Sequence, residues 1–216
     1  PRSNGSESQD GHTRIFQYSS GSWSQLGSDI DGEAAYDYSG YSVSLSSDGS
    51  TVAIGAYRND GGGSTSGHTR IYQYSSGSWS QLGSDIDGDS ANDSSGYSVS
   101  LSSDGSIVAI GSPEDDGNRG HTRIFQYSSG SWSQLGSDID GEAAGDYAGW
   151  AVSLSDDGTT VAIGAHRNDG NGDSSGHTRI YQYSSGSWSQ LGSDIDGEAA
   201  NDLSGKTVSL SADGTL

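Results

Sequence analysis

An all-β fold, a β-propeller of four-stranded antiparallel blades, is predicted by three features of the sequence. A unit of 53 to 56 residues recurs four times, each copy divides into four strand-like pieces, and Gly and Ser interrupt every candidate helix. The string GHTRI begins at Gly11, Gly67, Gly120 and Gly176, and QYSSGSWSQLGSDIDG recurs unchanged from Gln17, Gln73, Gln126 and Gln182. Such near-identity marks recent duplication or deliberate consensus design. A β-solenoid also repeats in tandem, but its coils are shorter, so the propeller is preferred.

One unit illustrates the elements in order. Tyr41–Leu45 alternates apolar residues with Ser at period two, as a half-buried strand does. Ser47-Asp48-Gly49-Ser50 is a hairpin turn. Thr51–Ala56, TVAIGA, is a short apolar run that reads as a strand buried on both faces. A Gly/Asn/Asp/Ser loop follows to Gly67. His68–Tyr74 is β-branched and aromatic. Ser75–Ser78 turns the chain again, and the more polar Trp79–Ile86 is expected as an edge strand.

Composition narrows the class. The 216 residues carry 9 Lys+Arg against 29 Asp+Glu, a formal charge of −20, with 29% apolar residues and 35 Gly. So little apolar content would suit disorder, but 5 Trp and 12 Tyr argue for a packed chain. The charge disfavours nucleic acid and anionic lipid, because counterion release needs basic residues. No run of about 18 apolar residues exists, so no membrane span is expected. The absence of Cys excludes disulfides and thiolate chemistry.

SGYSVSLSSDGSTVAIGAYRND followed by GHTRIYQY resembles the FG-GAP repeat of integrin-α-like β-propellers, and it does so four times along the chain. The resemblance implies a propeller and an extracellular or cell-surface setting. It departs in one respect: the family's calcium loop is an Asp-rich first hairpin, which here is only SSDGS, so calcium does not carry over to that loop.

Blades are expected at about 38–92, 93–145 and 147–201. A fourth would be shared between the termini, from 1–37 plus 203–216, and would lack its second strand. Either a longer array or another molecule would supply that strand, because an open edge invites pairing.

The strongest candidate site follows the fourth strand. Asp29, Asp31, Glu33 and Asp37 stand at relative positions 1, 3, 5 and 9. They recur as Asp85, Asp87, Asp89, Asp93; as Asp138, Asp140, Glu142, Asp146; and as Asp194, Asp196, Glu198, Asp202. Acids on alternate loop residues can converge on a hard cation such as calcium, although Ile30 and the early Gly32 depart from a ligand loop. A solvated acidic turn is the other reading. His12, His68, His121 and His177 open the third strands, as structural groups or as metal ligands in a channel. Arg14, Arg70, Arg123 and Arg179 are expected to balance the acidic loops.

Trp23, Trp79, Trp132 and Trp188 recur once per unit. Buried they would cap a blade edge, and exposed they would stack on sugars. Trp150 replaces Tyr41 and Tyr97 at an expected core position. Asn4-Gly5-Ser6 and Asn92-Asp93-Ser94 fit the N-glycosylation pattern. Near-identical blades give no unique set of acid, base and nucleophile, so no catalysis is expected.

The expected function is therefore an extracellular structural or adhesive repeat protein that self-associates end to end into a fibre or surface layer. The alternative is a propeller module that binds a glycan or protein, with calcium, through the loops of varying length before Gly67, Gly120 and Gly176.

Overall fold

The computed structural model describes residues 10–215. Residues 1–9 of the predicted fourth blade, with Asn4 of the glycosylation pattern, and Leu216 lie outside the described residues.

The chain is all-β. Strands β1 (His12–Thr13) and β4 (Ile30–Asp31) pair with each other, as do β2 (Phe16–Ser19) and β3 (Ser22–Gln25). Three sheets follow, each a path of four antiparallel strands plus a short fifth. The first is β5 (Ser42–Leu45), β6 (Thr51–Ala56), β7 (His68–Ser75) and β8 (Ser78–Gln81), with β9 (Ile86–Asp87) also on β7. The second is β10 (Ser98–Leu101), β11 (Ile107–Ser112), β12 (His121–Ser128) and β13 (Ser131–Gln134), with β14 (Ile139–Asp140) on β12. The third is β15 (Ala148–Leu154), β16 (Thr160–Ala165), β17 (His177–Ser184) and β18 (Ser187–Gln190), with β19 (Ile195–Asp196) on β17. A single four-residue helical turn, Asp115–Asn118, interrupts the second unit, and Asp116 and Gly117 inside it have positive φ. No described helix is long and apolar enough to cross a membrane.

The second strand of each sheet is buried along its whole length, as its unbroken apolar run requires. The fourth strand differs from expectation, because it is split. Leu82 N–H still donates to Ile71 O, but Gly83 then takes φ +79° and Ile86 rejoins the ladder opposite Thr69. The bulge aims Asp85 back toward the start of β7.

Neighbouring sheets pack face to face. Ala53, Ile71 and Ile86 of the first meet Val99, Leu101, Val108, Ile110 and Phe125 of the second. Ile107, Ala109, Ile124 and Ile139 meet Val152, Leu154, Val161 and Ile163 of the third. Ile15 and Ile30 meet Val52 and Ile54 in the same way.

The first strands approach one another through serine. Ser44 Oγ accepts from Leu101 N–H at 2.9 Å, and Ser100 Oγ accepts from Leu154 N–H at 3.0 Å. Ser153 Oγ accepts from Leu210 N–H at 3.0 Å, which ties the C-terminal segment to the third sheet. Gly55 makes the close approach possible, since a Cβ there would lie 2.0 Å from Gly96 O. Hydrogen-bonded serine thus replaces apolar bulk where the sheets converge, and a propeller can form from so few apolar residues.

Candidate functional site

The joint between successive sheets repeats with little change. Trp79 Nε1–H donates to Leu26 O, Trp132 to Leu82 O and Trp188 to Leu135 O, each at 2.7 Å. A Cβ on Gly27, Gly83 or Gly136 would lie 2.7–2.8 Å from Cδ1 of that Trp, so only Gly lets the indole settle. Beside each indole a Tyr of the same sheet packs at 5.2 Å: Tyr74, Tyr127 and Tyr183. These three Trp act in packing.

The joint's two halves also stand open at either side of the array. Trp23 is 69% exposed, with Phe16 and Tyr18 exposed beside it. At the far side Leu191 and Ile195 are 50% and 56% exposed, whereas Ile86 and Ile139, the counterparts of Ile195, are buried. A Cβ on Gly192 would meet nothing within 4 Å.

The sixteen predicted acids fall into four environments. Position 1 accepts from a Gln four residues earlier: Asp29 from Gln25, Asp85 from Gln81, Asp138 from Gln134 and Asp194 from Gln190. Position 3, Asp31, Asp87, Asp140 and Asp196, ends the short strand, and there Asp87 pairs with His68 in register. Position 5 reaches the Arg of the next sheet: Glu33 Oε1 lies 3.2 Å from Arg70 Nη1, Asp89 accepts from Arg123 Nη1, and Glu142 pairs with Arg179. Glu198 has no following sheet among the described residues. Position 9 closes its own turn, with Asp37, Asp93, Asp146 and Asp202 accepting from Ala34, Ser90, Ala143 and Ala199 N–H.

Among the described residues, no group of three carboxylates from one loop converges. The groups that do form include histidine. They are Glu33, His68 and Asp85; His121, Asp138 and Asp140; and Glu142, His177 and Asp194. Spacing within one repeat gave no sign of the first and last groups, because each joins acids from two repeats across a joint.

His68, His121 and His177 are buried. Burial, reinforced by Arg70 and Arg179, holds the imidazoles of His68 and His177 below their ordinary value despite the nearby acids. His121 is engaged differently, with Nδ1 3.0 Å from Asp115 Oδ2. His12 is half-buried. Asp48 in the first hairpin caps its own turn, accepting from Ser50 N–H, Ser50 Oγ and Ser46 Oγ. These bonds hold its carboxyl below the usual range.

Tyr41, Tyr97 and Trp150 occupy no core. They form a partly exposed aromatic row, with Tyr41 and Tyr97 centroids 4.9 Å apart and Tyr97 and Trp150 centroids 4.5 Å apart. Tyr41 and Tyr97 immediately precede the first strands β5 and β10, and Trp150 lies near the start of β15. His166 joins the row 4.2 Å from Trp150.

The FG-GAP repeat family model matches residues 29–72 and 138–181. The chain carries FG-GAP repeats. Each matched stretch runs from an acidic loop across the joint to the third strand of the next sheet. A candidate 6-phosphogluconolactonase from Bacteroides uniformis is similar in structure, with a TM-score of 0.59 at 13% identity, over 89% of this chain and 50% of that one. A second, from Bacteroides fragilis, gives 0.55 at 13% identity, over 79% and 42%. A protein from Lactobacillus plantarum gives 0.53 at 17% identity, over 87% and 50%. The chain thus spans about half the length of these structures. Identities this low carry the propeller-like fold and no activity. No curated protein sequence matches the chain.

Proposed function

We propose that this chain is an extracellular structural or adhesive propeller protein, without catalysis, whose copies associate end to end into a fibre or surface layer. One observation supports this reading above the rest. Trp23 with its aromatic neighbours, and Leu191 with Gly192 and Ile195, are the two halves of a joint that the chain itself completes three times. A surface already known to fit its complement needs little adaptation to take it from a second copy. Successive contacts of this kind are heterologous, so they build an open string wherever the rotation from copy to copy does not close a ring. FG-GAP repeats are typical of extracellular proteins, in keeping with that location.

The charge of −20 per chain opposes association. Added salt screens that repulsion, so strings should lengthen as ionic strength rises. Negative-stain electron microscopy at low and high salt tests the reading. Regular strings, longer in salt, are expected. Separate particles at every concentration and ionic strength would end it.

A further inference from the structure

The geometry points to a metal site for a borderline divalent cation such as Zn²⁺ on Glu33, His68 and Asp85, at the joint before the first full sheet.

His68 is 1% exposed, and its buried Nδ1 has no hydrogen-bond partner. That atom faces Asp85 Oδ2 at 3.6 Å and Glu33 Oε2 at 3.9 Å. Both distances exceed the 2.7–3.2 Å of an N–H···O bond. They are close to the separation of about 3.4 Å between two atoms that bind one tetrahedral Zn²⁺ at about 2.0–2.1 Å each. All three ligand atoms lie within 4.8 Å of one another, so closure of the two carboxylates toward the imidazole completes three ligands, and solvent supplies the fourth position. Each acid keeps its other oxygen on a protein donor: Asp85 Oδ1 accepts from Gln81, and Glu33 Oε1 pairs with Arg70. These contacts orient the oxygens that face the histidine. One imidazole with two carboxylates suits zinc and its neighbours in the transition series better than calcium, which prefers six to eight oxygens. The Arg70 guanidinium opposes a cation here, but Glu33, Asp85 and Asp87 outweigh it in charge.

The other two joints serve as controls within the same chain. At the second, Asp115 already takes His121 Nδ1, and Asp89 is one methylene shorter than Glu33. At the third, His177 Nδ1 is likewise buried without a partner, but the acids facing it are already engaged: Arg179 donates to both oxygens of Asp194, and Asn168 donates to Glu142 Oε2 at 3.2 Å. One ion per chain is therefore expected.

The test is titration of the chelator-treated chain with Co²⁺, followed by visible absorption, and with Zn²⁺, followed by calorimetry. The expected result is a saturable 1:1 phase with the absorption of nitrogen- and oxygen-ligated Co²⁺. Glu33→Gln, at an accessible position that should leave the fold intact, and His68→Gln should both abolish that phase. Glu142→Gln should leave it unchanged. Absence of a 1:1 phase in the parent chain, its survival in Glu33→Gln, or its loss in Glu142→Gln would each overturn the assignment.

Discussion

The indole N–H of Trp132 donates to the carbonyl of Leu82 in the preceding sheet at 2.7 Å, while Gly83, one residue on, leaves the ring its space. This pair of residues is the unit of construction. It recurs at every described joint, whereas Trp23 is 69% exposed and a Cβ on Gly192 would meet nothing within 4 Å among the described residues.

The glycine half can be tested by comparing two alanine substitutions. Gly83 and Gly192 share nearly the same left-handed backbone, with φ +79° and +81°. Alanine in that conformation costs about 1–2 kcal/mol at either site. Only at Gly83 would the new Cβ also strike Trp132, at 2.8 Å from Cδ1. Gly83→Ala should therefore destabilise by about 1–2 kcal/mol more than Gly192→Ala. Urea-unfolding midpoints at low protein concentration decide it, and equal midpoints would remove the steric account.

A second comparison probes the apolar half. Ile86 is 5% exposed and Ile195 is 56% exposed, although they occupy the same place in the repeat. Ile86→Ala should cost about 2–5 kcal/mol, as core truncations do, and Ile195→Ala less than about 1 kcal/mol in the unassociated chain. Thermal unfolding of dilute protein checks the contrast.

The third prediction concerns pH. Burial, then the charges of Arg167 and Lys206, push His166 down from 6.5 to about 4. Between those values the unfolded chain binds a proton that the folded chain does not, so folded stability falls as pH drops from about 6.5 to about 4. Above 6.5 this group contributes no slope. The loss is at most about 3 kcal/mol. His166→Tyr, which copies Tyr57 of the first unit, should flatten that part of the stability–pH curve. An unchanged slope in the variant would assign it to other groups.

Much of the fold was legible because the relevant physics is local. TVAIGA has no polar face, and it is buried throughout. HTRIYQYS carries the β-branched and aromatic residues of a strand, and it is one. The fourth strand was misread as continuous because nothing in Leu82-Gly83-Ser84-Asp85 separates a polar edge from a bulge without the register that His68 and Thr69 impose. The acids were legible as a repeated set but not as a grouping. Glu33 and Asp85 stand far apart in sequence and meet only because one sheet packs on the next. Tyr41 and Trp150 looked like core because period two assigns a face to a residue, but it says nothing of whether a neighbouring sheet covers that face.

Sedimentation velocity across a concentration series measures the central claim most directly. The parent chain should gain mass with concentration, more so at higher ionic strength. Trp23→Ala should remain a single species of 22.2 kDa, and so should Gly192→Val, whose side chain would fill the space the incoming indole needs. A parent chain that stays monomeric throughout, or a Trp23→Ala chain that associates as well as its parent, would contradict the claim that these two faces are halves of one joint.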